Sequence, residues 1–397
     1  MNQSMTGYDM KQVFEQHLGK VQAQMELHSI GALLLFDPIN IRYASGFTNE
    51  QIFQAHTPSS YLFVPATGKA ILHYRADRQH LLSLGTLSAV RDAIAYTCVA
   101  AGPRVVEKAE AWARQIADHV REHCGGKAQL AVDRIDPVAM VSLGGHGIDV
   151  VHGHSLVEFA RAIKSAADIT CIENALAIAE AGMAAMHDAM RPGMTENELW
   201  SILQQTNIAL GGGWIETRLL SSGHRTNPWF QECSEKLIRP GELVAFDTDM
   251  IGPHGYCADV SRTFFCGPGR PSDEQRRLYR FAAEQIRLNT ELIKPGMSFR
   301  DYAERAWKIP DAFIVNRYAM ITHGIGMGDE YPSVAHLCDW DAIGYDGIIE
   351  ENMTLCVESY IGTEGGYEGV KLEEQVVVTS HGCRVLSKFP YEEILLS

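Results

Sequence analysis

Apolar residues recur at helical spacing over residues 10 to 27, where Met10, Val13, Phe14, Leu18, Val21 and Met25 share one face. The run GALLLFDPINIRYASGF then reads as a strand with a turn at Pro38–Asn40. YLFVPATGKAILHY reads as two strands about a turn at Thr67-Gly68, and QLAVD near 129–133 as another. Helical patterns lie between them, as from Val106 to His123. Strands alternating with helices over roughly 150 residues predict an α/β domain. From Ser155 the pattern changes to long alanine-rich helices, which stop at Arg191-Pro192-Gly193. Thr195 then opens a helix as its cap, with Glu198 three residues on. Strand-like segments follow over 215–265, helices over 272–293 and 299–308, and strands and loops from 318 to the end. This divides the chain into an N-terminal α/β domain, 1–158, and an α+β domain, 159–397.

Composition narrows the function classes. With 46% hydrophobic and 21% charged residues, the 397-residue chain is an ordinary globular sequence. Its net charge of −15 argues against nucleic acid or an anionic membrane as partner, and favours a cationic or zwitterionic small ligand. The nine cysteines are scattered, with no C-x-x-C pair, which fits reduced thiols in a cytoplasm. The N-terminal MNQSMTGYDMKQVFEQ has no basic start followed by an apolar run, so no signal peptide is expected.

The chemistry concentrates in LVAFDTDMIGPHGYCADVSRTFF, residues 243–265. Read as a strand, its Asp247 and Asp249 point the same way, and a turn at Gly252, Pro253 and Gly255 returns Asp259 towards them. Three carboxylates packed between apolar segments repel one another, and a bound cation is the simplest remedy. His323 in YAMITHGIGMGDEYP, Glu358 in ENMTLCVESYIG and Glu373 in GVKLEEQVVVT each put one metal-capable side chain in a segment suited to burial. Carboxylates with one imidazole suit a pair of hard or borderline divalent ions such as iron, manganese, cobalt or zinc.

The order Asp, Asp, His, Glu, Glu in FDTD, ADVSRTF, THGIG, CVES and KLEEQVVV resembles the pita-bread metallohydrolases, which include methionine aminopeptidases, Xaa-Pro peptidases and creatinase. RAIKSAADITCIENALAIAEAGM is similar to the start of their catalytic domain, and DPINIRYASGF to the N-terminal domain of the prolidase and creatinase branch. The resemblance covers essentially the whole chain. It implies a creatinase-like N-terminal domain, a pita-bread catalytic domain, the ligands Asp247, Asp259, His323, Glu358 and Glu373, and a homodimer.

The chain departs from the peptidases at three places. One peptidase histidine is replaced at Trp229 and Phe230, with His224 nearby in another register. A second, after the metal histidine, is replaced by Asp329 and Glu330. Asp247 and Asp259 are twelve residues apart, one more than the peptidase pattern, with Asp249 between them. These departures resemble the dimethylsulfoniopropionate (DMSP) lyases of the DddP type. That resemblance implies that Asp249 joins the metal site, that Asp329 (or its neighbour Glu330) is the base, that Tyr318 holds the substrate, and that iron is the metal. The reaction would be β-elimination to dimethyl sulfide and acrylate; the alternative is an Xaa-Pro dipeptidase or aminopeptidase with an altered substrate site. A sulfonium wants aromatic faces, and Trp214, Trp229, Phe230, Tyr331 and Trp340 lie near these motifs.

Overall fold

The computed structural model describes residues 7–48, 51–124 and 129–397. The first six residues, on which part of the signal-peptide expectation rests, lie outside them. The chain divides into two compact units, Met1–Arg161 and Ala162–Ser397.

The first unit runs α1 (Met10–Leu27), β1 (Ala32–Leu35), α2 (Pro38–Ser45), α3 (Gln51–His56), β2 (Tyr61–Pro65), β3 (Ala70–Tyr74), β4 (Leu87–Asp92), α4 (Cys98–Ala101), α5 (Val105–His123), β5 (Gln129–Val132), α6 (Pro137–Gly145), β6 (Asp149–His152) and α7 (His154–Ala162). Its six strands form one mixed sheet in the order β4-β3-β2-β1-β5-β6. Trp112, Ile116 and Val120 of α5 fill a core with Leu34, Phe63 and Leu130 from the sheet. Full burial of each such side chain stabilises the unit by about 1.5–3 kcal/mol before entropy is counted.

One expectation fails here. The second half of GALLLFDPINIRYASGF is helix α2 rather than strand. Asp37 caps it by accepting from the backbone N–H groups of Ile39 and Asn40, at 2.8 and 3.2 Å. Pro38 sits in the first turn, where its missing N–H costs nothing, and Gly46 closes the helix at φ 75°. The Asp-Pro pair is therefore a helix start, not a turn within a strand.

The second unit begins with α8 (Ala166–Ala189) and α9 (Glu196–Ala209). The long helices expected over 155–190 are α7 and α8, and the second starts at Ser165, which caps α8 in a reciprocal pair with Asp168. Thr195 and Glu198 form the same pair at α9. Among the described residues α8 alone is long and apolar enough to cross a membrane. Half of that apolar stretch is buried inside the protein, and α8 packs against α9, as the core helix of a folded domain does.

The remaining elements are β7 (Leu220–Ser222), β8 (Leu243–Phe246), β9 (Met250–Ile251), β10 (Cys257–Ala258), β11 (Arg262–Phe265), α10 (Asp273–Leu292), α11 (Phe299–Arg305), β12 (Thr322–Ile325), β13 (Asp329–Val334), α12 (Trp340–Ile343), β14 (Thr354–Ile361), β15 (Val370–Thr379), β16 (Gly382–Val385) and α13 (Glu393–Leu396). They build antiparallel sheets in the orders β11-β8-β7, β10-β9 and β13-β12-β14-β15-β16. Helix α10 packs on β14 and β15 over a core of Leu278, Tyr279, Ile286, Leu355, Val357 and Leu372. Strands β14 and β15 are buried along nearly their whole length, so charges on their other face are enclosed too.

Candidate metal centre

Glu358 on β14 and Glu373 on β15 are directly opposed in register, two like charges in a fully buried strand pair. Such a pairing is destabilising unless a cation intervenes. Lys371 does so. It lies two residues before Glu373 on the same strand and hence on the same face. Its Nζ is 2.6 Å from Glu358 Oε2, 3.2 Å from Glu373 Oε2, 3.2 Å from Asp247 Oδ2 and 2.7 Å from Ser261 Oγ. The lysine is completely buried, and the surrounding carboxylates hold its pKa well above the ordinary value against the opposing effect of burial. Lys371 is not among the residues the metal motifs single out, although its spacing of two from Glu373 is the signal that marks it.

His323 lies on β12, paired with Cys356 on β14, at an irregularity of register between His323 and Gly324. Its Nδ1 is 3.1 Å from the Gly324 carbonyl. A proton there leaves the Nε2 lone pair facing inward, the arrangement of a metal-binding histidine. Nε2 is 3.2 Å from Glu358 Oε1, 3.6 Å from Asp259 Oδ2 and 3.8 Å from Glu373 Oε1. In the absence of metal, burial depresses the imidazole pKa, but Asp329, Glu358 and Glu373 outweigh it and raise it to about 10.

Asp247 and Asp249 converge with Asp259, but not by strand alternation as expected. Strand β8 ends at Phe246, and Asp249 has a left-handed backbone at φ 36°. That conformation is costly for a residue other than glycine and tends to persist where the surroundings enforce it. Thr217 donates to Asp249 Oδ2 at 2.5 Å. Burial, and then the charges of Asp247 and Asp329, push the Asp249 carboxyl up to about 8. Burial likewise puts Asp259 and Glu373 well above the carboxylate range. Lys371 and hydrogen bonds hold Asp247 below it, although burial acts the other way.

Five carboxylates thus face one ammonium and one imidazole. Asp247 Oδ1, Asp259 Oδ1 and Glu373 Oε1 are buried without a hydrogen-bond partner. A buried carboxylate oxygen left bare is costly, and a divalent cation satisfies it. The ligand atoms fall into two overlapping groups, Asp247–Asp249–Asp259 and Asp259–His323–Cys356–Glu373. Asp259 belongs to both, as a bridging ligand between two ions would. Hard oxygens with one nitrogen are an appropriate donor set for divalent ions. Cys356 is the weakest of these donors, because its thiol donates to the Asp259 carbonyl at 3.7 Å and burial holds its proton.

Beside the cluster lies a cavity of about 370 Å³ lined by Met320, His323, Asp329, Glu330, Tyr331, Ser333 and Tyr345. A larger groove of about 880 Å³ along α10 is lined by none of the candidate residues. The neighbours Asp329 and Glu330 have opposite fates. The Asp329 side chain is 63% exposed, with Oδ1 3.8 Å from His323 Nδ1. Glu330 is 1% exposed and is ion-paired to the buried Lys164. Although the side chain faces solvent, the protein crowded around its carboxyl raises its pKa above the ordinary value, and His323 pulls it back.

The aromatic candidates separate as well. Tyr318 lies 4.5 Å from Lys371 Nζ, measured to the ring centre, and Phe230 stacks on it at 5.4 Å. Phe230 is exposed and left-handed, at φ 68°. Trp229 is buried, with Lys371 Nζ 5.9 Å from its ring. Tyr331 lines the cavity and stacks on Tyr345 at 6.0 Å. Trp214 packs with Ile251, Cys257, Ile325 and Cys356 in a small cluster next to the ligands. Trp340 belongs instead to the α10–β14–β15 core, with the Arg300 guanidinium 5.8 Å from its ring; it is the buried residue of α12, whose Ala342 and Ile343 face solvent. His224 lies beside Tyr367, ring centres 6.0 Å apart.

Comparison with known proteins fits this geometry. Residues 170–380 match the model of metallopeptidase family M24, and residues 17–143 that of the creatinase/prolidase N-terminal domain. The chain is 36% identical to dimethylsulfoniopropionate lyase DddP of Roseovarius nubinhibens over 372 residues, which is 92% of this chain and 83% of that one. It is 35% identical to the DddP of Roseobacter denitrificans over the same shares. An Xaa-Pro dipeptidase structure from Bacillus anthracis superimposes with a TM-score of 0.75 at 22% identity, covering 96% of this chain and 99% of that one. This last likeness identifies the creatinase N-domain plus pita-bread fold.

Proposed function

The chain belongs to metallopeptidase family M24 and, within it, to the group of the DddP lyases, and from that premise we propose that it cleaves DMSP to dimethyl sulfide and acrylate. The observation that carries this reading is Asp329, an exposed carboxylate on the cavity wall beside His323, where a peptidase needs a histidine. Its neighbour Glu330 is committed to Lys164, which leaves Asp329 as the base.

The donor set fits two divalent ions held by Asp247, Asp249, Asp259, His323, Glu358 and Glu373; the resemblance to the DddP lyases makes iron the first choice, with manganese, cobalt or zinc as the others. When bound, they supply Lewis acidity that polarises a substrate carboxylate and acidifies its α-proton. Asp329 takes that proton; the carbon–carbon double bond forms as the carbon–sulfur bond breaks. The sulfur departs with the bonding pair as neutral dimethyl sulfide, so no acid is required for the leaving group. Asp329 then returns its proton to water, for which its exposure suits it. Lys371 and Phe230 already engage the Tyr318 ring, so we assign its hydroxyl to holding the substrate. The aromatic surfaces of Trp229, Phe230 and Tyr331 are assigned to the sulfonium, each contact being worth roughly 0.5–2 kcal/mol. We extend the reading to a homodimer acting in the cytoplasm, in keeping with nine free cysteines.

The test is to load the purified protein separately with iron, manganese, cobalt and zinc, add DMSP, and follow dimethyl sulfide by gas chromatography. Release with at least one metal is expected. No release with any of them, together with turnover of an Xaa-Pro dipeptide, would replace the lyase by the peptidase reading.

A further inference from the structure

The first unit holds a second cluster of metal-capable side chains that the carboxylate centre does not use. His73 comes from β3, in the interior of the six-stranded sheet. His119, Glu122 and His123 come from the last turns of α5, at positions i, i+3 and i+4, and so lie on one helix face. The Nε2 atoms of His73 and His119 are 3.1 Å apart. Two nitrogens bound to one tetrahedral zinc-class ion at 2.0–2.1 Å are separated by about 3.3 Å, so these two imidazoles stand at ligand spacing. One ligand atom from each of His119, Glu122 and His123 lies within 4.8 Å of the others; His73 meets this group through His119 alone, so a four-ligand site requires the two exposed side chains to swing in.

We propose that His73, His119, Glu122 and His123 form a mononuclear site for a borderline divalent ion of the zinc, cobalt or nickel class, separate from the carboxylate centre. The donor types suit that class, which prefers imidazole with a carboxylate over the all-oxygen sets of calcium and magnesium. Half of the site is preformed: His73 and His119 are 0% and 2% exposed, held by Tyr61 stacked on His73 at 4.6 Å and by Phe63 beside His119 at 5.2 Å. The other half is free to close on the ion, since His123 and Glu122 have side-chain exposures of 31% and 63%. Both buried imidazoles are neutral at physiological pH, their pKa values lowered by burial first, to about 3 and 4, so their lone pairs are available. Arg91 opposes a cation here, and Glu122 and Asp118 offset it. The ion would replace the imidazole–imidazole hydrogen bond and tie α5 to β3.

The test uses the untagged full-length protein with its catalytic centre already loaded. It is titrated with cobalt(II), followed by visible absorption and by metal content after gel filtration. One further equivalent, with the intense absorption of low-coordinate cobalt, is expected. His123→Ala and Glu122→Ala should each weaken that equivalent by about tenfold or more, the usual size for loss of one ligand, while dimethyl sulfide release and the tightly held metals stay unchanged. At the same concentration, zinc should also raise the Tm of the wild type by more than that of His123→Ala. No further equivalent in the wild type, or an equivalent of unchanged affinity in both variants, would overturn the site and leave the pair as a hydrogen-bonded core contact.

Discussion

Two fully buried glutamates in the second unit, Glu196 and Glu373, have opposite surroundings. Glu196 is saturated. Its Oε1 accepts from the Ser222 N–H and hydroxyl at 2.8 Å each; its Oε2 accepts from the Ser234 N–H and hydroxyl at 3.1 and 2.7 Å and pairs with Arg225. Glu373 has Ser261 at 2.8 Å and Lys371 at 3.2 Å on Oε2, and no hydrogen-bond partner on Oε1. Both carboxylates lie in the same unit and both are shielded from water. One is a structural knot that ties α9 to the end of β7 and to the segments carrying Arg225 and Ser234. The other has one face anchored and the other turned into a group of like charges. Burial alone does not separate these two acids; the bare Oε1 of Glu373, set among other carboxylates, does.

The largest expected effect comes from the residue outside both sets. Asp329→Ala should lower dimethyl sulfide release by about 10³-fold, within the range for a general base, while bound metal stays near the wild-type content. Loss of metal in that variant would move Asp329 from base to ligand. Next, Glu373→Ala should lose metal and activity together, by metal analysis and gas chromatography, yet its apo form should unfold at no lower temperature than wild-type apo protein, because one buried repulsion is relieved. Glu196→Ala should do the reverse. Removing one partner of a buried ion pair typically costs about 3–5 kcal/mol, read from denaturant midpoints, and the folded fraction should keep its full complement of metal. If Glu196→Ala loses metal selectively, the contrast between the two glutamates is wrong.

Lys371→Met should separate the two states of the centre. Without the ammonium, the carboxylates repel more strongly in the apo protein and attract an ion more strongly, so apo Tm should fall and the rise in Tm on metal addition should widen by several degrees. An unchanged gap would mean that Lys371 is only a packing residue. The smallest effect belongs to the first unit, where buried charge is avoided rather than compensated. His73 and His119 have folded pKa values lowered to about 3 and 4, so they stay neutral while an unfolded chain takes up protons below about 6.5. Their contribution is therefore complete above pH 6.5 and falls as the pH drops towards 4. By pH 5 the loss is about 2 kcal/mol per imidazole in metal-free protein, and His73→Phe should flatten that slope in acid denaturation.

The sequence was most legible where one residue type sufficed to raise a question. A carboxylate or histidine within an apolar strand demanded a partner, and so His323, Glu358 and Glu373 stood out. It was less legible where geometry decided the answer. Asp247 and Asp249 were expected to converge by strand alternation, but the strand stops first and a left-handed residue turns the second carboxylate. Asp37-Pro38 carries the same letters whether it opens a turn or a helix; the two capping bonds from Asp37 decide for the helix. Trp340 has the composition of a pocket residue, and only the packing of α12 places it in the core. Lys371 was hidden by convention, since a lysine in a strand is usually read as a solvated edge.

The ammonium of Lys371 also has a bearing on how the protein matures. A cluster of carboxylates with no internal counter-ion closes only with metal at hand or by taking up protons. Here part of the compensation is encoded in the chain and arrives with synthesis. The hydrophobic layers of the second unit can therefore assemble first, and the ions can enter a finished vessel.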